Sequence, residues 1–273
     1  MKHTILTLCF LTFFGSLFAQ NKGQDFLSLT IGGGYHAINY KLDGYGDKTN
    51  GFGFAAKLGY EHFFSSEAGI STGVMTGCFK TSTTLNYLQT IDKAVDEDNN
   101  IYTHRTYFNS LKESQKQTML IIPAEFVYRF SLSSKIELWL SGGLFGGFTL
   151  KSDFKTEKGN LETRRFYYEQ NLEVYGDYPM HGLYTENSFS AQNSLKPVLG
   201  GIFEPNFLVR LTEKVDLKCG FYFLYSFTAQ NKQDSENLYD PESKNYNGFF
   251  NSHLTDKTHP MLTGFLLGAN YSF

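Results

Sequence analysis

The chain has 273 residues and is rich in aromatic side chains, with 27 Phe and 18 Tyr against a single Trp, and it contains 26 Gly but only 6 Pro. Its formal net charge of −3 is mild and no basic stripe runs along the chain, which argues against a nucleic-acid partner. Beyond the first twenty residues no run of 18 apolar residues occurs, which excludes a protein anchored by several transmembrane helices.

The N-terminal segment has the pattern of a secretory signal peptide. Lys2 precedes an almost entirely apolar run over residues 4–18, and a small alanine follows that run. The run is too short for a transmembrane helix. We therefore expect residues 1–19 to be a cleaved signal peptide and residues 20–273 to form one exported domain.

Eight later segments alternate apolar with polar or small side chains at a period of two, the pattern of a β-strand with one face in an apolar environment. In the second segment Phe52, Phe54, Leu58 and Tyr60 share one face. We predict strands over residues 26–40, 51–63, 68–81, 117–130, 136–151, 197–211, 215–227 and 260–273.

The connections between these strands alternate strictly between tight and long. The tight connections are 64–67, 131–135 and 212–214, and the long ones are 41–50, 82–116, 152–196 and 228–259. Up-and-down barrels of the bacterial outer membrane show this alternation, with short periplasmic turns and long outer loops. We therefore predict an all-β fold, an eight-stranded, antiparallel, up-and-down transmembrane β-barrel with long extracellular loops. An extra hairpin within residues 164–175 would make ten strands, the main architectural alternative.

The last predicted strand ends on an aromatic residue of its apolar face. Phe265, Leu267, Ala269, Tyr271 and Phe273 share that face. A terminal aromatic in this position looks like the insertion signal of outer-membrane barrels, so we expect Phe273 to bring the strand to the barrel-assembly machinery. The expected location is the cell outer membrane, with its lipid as the first partner and with the protein as a monomer.

The fourth predicted strand carries a family resemblance. Residues 121–131, with the sequence IIPAEFVYRFS, resemble the corresponding strand of the PorT-like outer-membrane β-barrel family common in Bacteroidetes. The glycine-rich segment 138–148 and the final GANYSF are also similar to that family. The resemblance implies a porin-like barrel over the whole mature chain. It implies no single activity, because the family is functionally mixed and one branch serves a protein-secretion apparatus.

Charged side chains occupy the alternate positions of the strands, between the residues of the apolar face, so we expect them to point into the lumen. An unpaired buried charge is costly, and acids and bases occur here in similar numbers. We therefore predict a network of ion pairs and hydrogen bonds that plugs the barrel, with a narrow charged solute path as the alternative. The predicted network comprises Lys57, Glu61, Glu125, Arg129, Glu137, Glu204, Arg210, Asp216 and Lys218.

Patterns for catalysis or metal binding are weak. The histidines after the signal segment are His36, His62, His104, His181, His253 and His259. Ser252 adjoins His253, but sequence neighbours do not make a catalytic triad. Residues 96–100 resemble the start of a calcium loop, yet Ile101 stands where the glycine is needed and Tyr107 where the glutamate is needed. We expect no catalytic residue, no cofactor and no metal.

Two further features concern strand geometry. Cys78 and Cys219 both fall on the predicted outward face, where two small apolar side chains are the simpler interpretation and a disulfide is the alternative. Pro123 and Pro205 lie inside predicted strands. Because proline donates no ladder hydrogen bond, we predict a local bulge at each.

The long connections mix charged residues with tyrosine and phenylalanine, a composition typical of recognition surfaces. Strands that extend beyond the membrane and pack through their tyrosines would have the same composition. Our leading hypothesis is a non-enzymatic structural or interaction protein whose loops bind an extracellular or periplasmic protein. The alternatives are a narrow passive channel, a component of a secretion apparatus and, third, a lipid-modifying enzyme at the outer rim.

Overall fold

A computed structural model describes residues 24–42, 44–96, 98–175, 182–185, 189–231, 237–241, 243 and 245–273, with the backbone alone for 182–185. The predicted signal peptide lies outside these residues. No helix within them is both long and apolar enough to cross a membrane.

Eight antiparallel strands form a closed ring. They are β1 (Gln24–Asn39), β2 (Gly46–Phe63), β3 (Ala68–Val95), β4 (Ile101–Ser131), β5 (Ile136–Tyr167), β6 (Val198–Arg210), β7 (Val215–Ser226) and β8 (His259–Ser272). Each strand pairs with its neighbour in the chain, and β8 returns to pair with β1 from Phe26↔Ser272 to Asn39↔His259. The predicted eight-stranded up-and-down barrel is confirmed.

The ten-strand alternative is wrong, although the hairpin that suggested it exists. Residues Leu172–Val174 pair with the end of β5, from Tyr167↔Leu172 to Arg165↔Val174. This short segment lies on the edge of β5 beyond the ring, as do Gly182–Thr185 and Ser190–Gln192. A segment of three or four paired residues is too short to run the height of the barrel, so the ring keeps eight strands.

Alternation along the strands separates an apolar outer face from the lumen. On β2 the side chains of Phe52 and Phe54 are 64% and 67% exposed, whereas Lys57 and Glu61 are 3% and 1% exposed. The three tight turns form as predicted, with backbone bonds such as Leu132 N–H to Ile136 O at 3.0 Å. These turns and the first described residue, Gln24, lie at one end of the barrel, here called the turn end. The opposite end is the loop end.

The predicted bounds of two loops are wrong, because β3, β4 and β5 continue beyond the apolar outer face. The loop predicted over 82–116 is strand except for residues 96–100, and the loop predicted over 152–196 is strand as far as Tyr167. β3 and β4 remain paired from Ser82↔Ser114 to Val95↔Ile101. The connection itself is a tight turn, in which Asp96 Oδ1 accepts the N–H groups of Asp98 and Asn100 at 2.9 and 2.8 Å. Beyond the apolar environment the outward positions become polar, so the pairing continues while the alternation disappears from the sequence.

The bulges predicted at the two prolines do not form. β3–β4 pairing lapses between Thr72↔Ala124 and Met75↔Ile121 around Pro123, and β6–β7 pairing lapses between Asn206↔Gly220 and Phe203↔Phe223 around Pro205. In both places the ladder resumes in the same register. The missing proline N–H therefore removes bonds toward one neighbour without inserting an extra residue.

Cys78 and Cys219 are free thiols. They lie on β3 and β7, which are four strands apart in a ring of eight and hence on opposite sides of the barrel. Because both side chains point outward, they cannot approach to disulfide distance. The simpler interpretation, two small apolar side chains, is the one that the fold supports.

Candidate functional site: a filled lumen and its cap

Aromatic side chains fill the lumen at the turn end. Trp139 lies between Phe26 and Phe63, with ring centroids 5.1 and 4.8 Å away, and Val127 and Leu208 complete the buried cluster. Large flat side chains from different strands can fill a narrow barrel because successive inward positions are two residues apart. This layer closes the turn end with hydrocarbon.

A ring of charges surrounds this aromatic layer at the rim. The Arg129 guanidinium donates from Nε to Ser66 O at 2.8 Å and lies over the Phe63 ring, 4.6 Å from its centroid. Glu137 accepts from Trp139 Nε1 at 2.9 Å and lies 3.4 Å from Arg210. Four members of the predicted network thus meet here: Arg129, Glu137, Arg210 and Asp216, the last 3.8 Å from Arg210.

The other five predicted residues form a buried ionic layer in the middle of the lumen. Lys57 Nζ lies 2.8 Å from Glu125 Oε1 and 2.7 Å from Glu204 Oε2, so one ammonium group joins two carboxylates. Lys218 Nζ lies 2.9 Å from Glu61 Oε1, which also accepts from the Ser28 hydroxyl at 2.9 Å.

All five charged side chains of this layer are at most 5% exposed. Three carboxylates therefore face two ammonium groups, and the layer carries one formal negative charge. In a barrel of this width, the attraction between oppositely charged groups holds long side chains across the lumen in fixed positions. The middle layer therefore places five buried charged side chains inside the barrel.

An apolar layer lies above the ionic one, toward the loop end. It includes Phe145, Leu224 and Leu262, all at most 2% exposed. His36 crosses this layer, with Nε2 2.6 Å from the Tyr222 hydroxyl and Nδ1 2.7 Å from Cys78 O. Gly53 makes room for the imidazole, since a Cβ at that position would lie 2.1 Å from His36 Nδ1. The alternation in the sequence predicted charged residues in the lumen but did not predict this apolar layer.

The connection between β7 and β8 folds back into the loop-end mouth as a cap, defined here by its described residues 237–241, 243 and 245–258. Phe249 and Phe250 pack on Tyr40, each with a ring-centroid distance of 5.3 Å. Gln89, on the extension of β3, donates to Tyr239 O at 2.6 Å and accepts from Tyr239 N–H at 3.2 Å. The cap therefore continues the apolar core of the barrel instead of lying loosely over it.

A buried carboxylate anchors the cap. Both oxygens of Glu113 accept the Phe249 N–H, at 3.1 and 3.0 Å, and Gln115 donates to Oε1. Burial raises the pKa of the Glu113 carboxyl to about 7, even though these hydrogen bonds favour the charged form. Burial, together with the nearby Glu113 charge, also raises the pKa of the Tyr246 hydroxyl well above its ordinary value.

The histidines weighed as catalytic candidates have other contacts. His62 Nδ1 lies 2.7 Å from Asp25 Oδ1, His253 Nε2 lies 3.3 Å from the Tyr87 hydroxyl, and His259 Nδ1 lies 3.0 Å from Ser226 O. The Ser252 hydroxyl donates to Phe249 O at 2.9 Å. His104 is buried beside Thr106, and His181 lies outside the described residues. Among the described residues no group of three acidic, histidine or cysteine side chains is placed to hold a metal ion.

Glu113 and Gln115 fall in the loop predicted over residues 82–116, so their inward positions were not predicted. Glu113, Gln115 and Gln117 share the parity of Met119 and Ile121, which are inward residues of β4. Extending that parity toward the N-terminus would have placed all three in the lumen. The period of two continues through this segment, but it is not visible because inward and outward residues are both polar there.

No protein-family model matches the chain, and no curated protein matches it. Among solved structures it is similar to the attachment invasion locus protein Ail of Yersinia pestis, in complex with the heparin analogue sucrose octasulfate, at 11% identity and a TM-score of 0.32 over 92% of this chain and 99% of that one. Neisserial surface protein A matches at 10% identity, a TM-score of 0.39 and coverage of 93% and 100%. The outer membrane protein OprG from Pseudomonas aeruginosa matches at 12% identity and a TM-score of 0.35, over 92% of this chain and 96% of that one. Likenesses this distant carry no inference about binding or activity.

Replacing Lys57 tests the ionic layer. Lys57→Met leaves Glu125 and Glu204 buried without their shared cation, so we expect the free energy of unfolding to fall by about 3–5 kcal/mol. Urea titration in phosphatidylcholine vesicles, followed by the fluorescence of the single tryptophan, measures the change. The control Lys112→Met removes an exposed partner of Glu157 and should cost less than about 1 kcal/mol. Equal decreases in the free energy of unfolding for the two variants would contradict the buried ion pairs of Lys57.

Glu113 makes the stability of the cap depend on pH. Its folded pKa of about 7 exceeds the ordinary 4.5, so its stabilising contribution is full below 4.5 and is lost as pH rises through about 7. We expect opening of the cap to become easier by on the order of 2 kcal/mol between pH 5 and pH 8. Hydrogen exchange of the amides of residues 249–252, corrected for intrinsic rates, reports this opening. Glu113→Gln should abolish the pH dependence, and an unchanged dependence in that variant would refute the assignment.

Proposed function

We propose that this chain is a monomeric, non-enzymatic protein of the bacterial outer membrane. Its outward face supports this, since Phe203, Phe207, Phe221 and Phe223 are all large, apolar and exposed. On β1 the outward apolar residues run from Leu27 to Tyr35, which spans roughly 20 Å of height on a strand tilted by about 40°. Outer-membrane barrels carry an apolar band of about 25 Å. In water these outward apolar residues, here called the apolar belt, would be exposed to an unfavourable solvent.

The observation that carries the functional proposal is a lumen filled from end to end. Aromatic, ionic and apolar layers follow one another, and the cap covers the loop end. A passive channel needs a continuous polar path, and the apolar layers interrupt one. We therefore assign the function to the surface that projects from the membrane and not to the lumen.

That surface is the extension of β3, β4 and β5. The residues from Ile101 to Lys116 on β4 alone extend roughly 50 Å along the strand. Near the tip three arginines stack on aromatic rings: Arg105 on Phe166, Arg164 on Tyr107 and Arg165 on Tyr102, at 4.2, 4.7 and 4.9 Å. Glu173 joins Arg105 and Arg164 at 3.2 and 3.1 Å, which holds the two guanidinium groups in place.

The tip also exposes large apolar side chains beside these arginines. Tyr168 and Tyr175 are 65% and 66% exposed, and Ile101 is exposed at the hairpin turn. Exposed tyrosine and ordered arginine are the residue types that dominate binding energy at protein interfaces. The function that these features support is binding of another protein outside the cell.

The resemblance of residues 121–131 to the PorT-like family supports a finer version of this proposal. In that version the chain belongs to the family, is exported with cleavage after residue 19 and is itself a membrane-anchored component of a secretion apparatus. Phe273, exposed beside Tyr271 with a ring-centroid distance of 5.5 Å, is then the residue that the barrel-assembly machinery binds.

The second candidate, a narrow passive channel, is favoured only by the charge of the ionic layer. Its single negative charge would prefer cations over anions in any path that opened. We expect the purified protein to give no steady conductance in planar lipid bilayers. A variant with residues 232–258 replaced by a short loop should also stay silent, because Phe145, Leu224 and Leu262 remain below. A steady, cation-selective current from the unmodified protein would refute the closed lumen.

Photo-crosslinking in intact cells tests partner binding. A photoreactive phenylalanine at Tyr168 or Tyr175 should give a discrete protein adduct, because these side chains project from the tip. The same probe at Phe203, which faces the belt, serves as the control and should give lipid adducts alone. Absence of protein adducts from both tip positions, with intact folding, would refute the interaction proposal.

A further inference from the structure

Three lysines lie side by side where the apolar belt meets the loop-end extension. They are Lys80 on β3, Lys116 on β4 and Lys151 on β5, and together they are called the lysine patch. Lys80 is directly opposite Lys116 in the β3–β4 ladder, and Lys151 is opposite Thr118, two residues from Lys116. Three adjacent strands place these ammonium groups within a surface about 10 Å wide.

The protein neutralises the patch only in part. Lys151 pairs with the half-exposed Asp153 at 2.8 Å, and Asp153 also lies directly opposite Lys116 in the β4–β5 ladder. Lys80 and Lys116 form no close ion pair among the described residues, although the Lys80 ammonium group attracts Glu157. Like charges directly opposite each other destabilise a sheet. The other nearby carboxylate, Glu157, pairs with Lys112 at 3.3 Å, and Lys155 adds a further cation on β5. Five lysines therefore face two carboxylates on this sector of the wall.

An open surface pocket of about 320 Å³ adjoins the patch, and Phe52, Phe54 and Asp153 line it together with the three lysines. The two rings project outward where β2 bulges, since pairing between β2 and β3 shifts register between Asn50 and Ala55. Hydrocarbon on the membrane side and cations on the solvent side match an amphiphile with an anionic head. Near the loop ends of β6 and β8 the outward residues are Leu199 and Met261, and the lysines of this part of the barrel, Lys41, Lys196 and Lys257, lie just beyond the ends of their strands.

We propose that the lysine patch binds the phosphorylated headgroup of an outer-leaflet glycolipid, whose acyl chains lie along Phe52 and Phe54. This inference rests on the membrane location in the proposed function. The lipid would supply anions for the lysines that Asp153 and Glu157 leave in excess, and binding would fix the rotation of the barrel relative to its first shell of lipid. The opposed lysines, which weaken the isolated sheet, then become favourable contacts in the membrane.

Reconstitution into phosphatidylcholine nanodiscs with and without diphosphorylated lipid A tests the proposal. Lipid A retained after mild delipidation is counted by native mass spectrometry. The variant Lys80→Gln/Lys116→Gln/Lys151→Gln should bind lipid A roughly 10- to 100-fold more weakly, since each lysine near an anionic surface contributes to binding. The control Lys41→Gln/Lys196→Gln/Lys257→Gln removes the same charge from exposed sites elsewhere and should retain the lipid.

Dephosphorylated lipid A of the same acyl composition should bind equally weakly to the unmodified protein and to the patch variant. Equal retention of lipid A by the patch variant and the control would overturn the proposal. Full displacement by millimolar inorganic phosphate would also overturn it, because the site would then bind a free anion. Insertion into plain phosphatidylcholine is scored separately, and its failure would refute the membrane location and not the headgroup contact.

Discussion

The structure depends on one constraint, that backbone N–H and C=O groups facing hydrocarbon must bond to one another. A strand cannot satisfy this alone, so β8 must return to β1 and close the ring. Closure with eight strands then leaves an interior only wide enough for side chains. The filled lumen follows from the strand number and needs no separate explanation.

How the lumen is filled follows from the cost of burying charge. Lys57 contacts two carboxylates, and Lys218 shares Glu61 with the Ser28 hydroxyl, so the ionic groups concentrate where they can reach one another. Above and below them the same narrow space holds aromatic and aliphatic groups. The cap extends the upper apolar layer through Phe249, and Glu113 satisfies that backbone N–H. Charge and hydrocarbon alternate along the axis, which gives a rigid scaffold for the projecting strands.

The barrel gives the projecting strands a rigid base. The three long strands carry the barrel's hydrogen-bond ladder outward to the turn at Asp96, so a sheet holds the arginine side chains near the tip. Tyr168 and Tyr175 lie in the turn and the segment that adjoin this sheet. The lysine patch lies at the base of the same sheet, where it leaves the belt. Lipid contact at the base and protein contact at the tip would therefore act on one continuous element.

The amino-acid sequence by itself determined the number, order and inward parity of the strands, because alternation such as Phe52, Phe54 and Leu58 against Lys57 responds to two solvents on two faces of one strand. Parity also predicted inward positions for Lys57, Glu61, Glu125, Glu204 and Lys218, which are buried, but it did not predict one for Glu113. The lengths of β3, β4 and β5 and the anchoring of the cap on Glu113 were decided only in the tertiary structure. In the extensions of these strands the outward positions become polar and the inward ones mix polar groups with Leu85, Leu111 and Phe154, so the alternation weakens. Pairing between distant segments, which the local pattern does not encode, therefore sets where each strand ends and which buried group it meets.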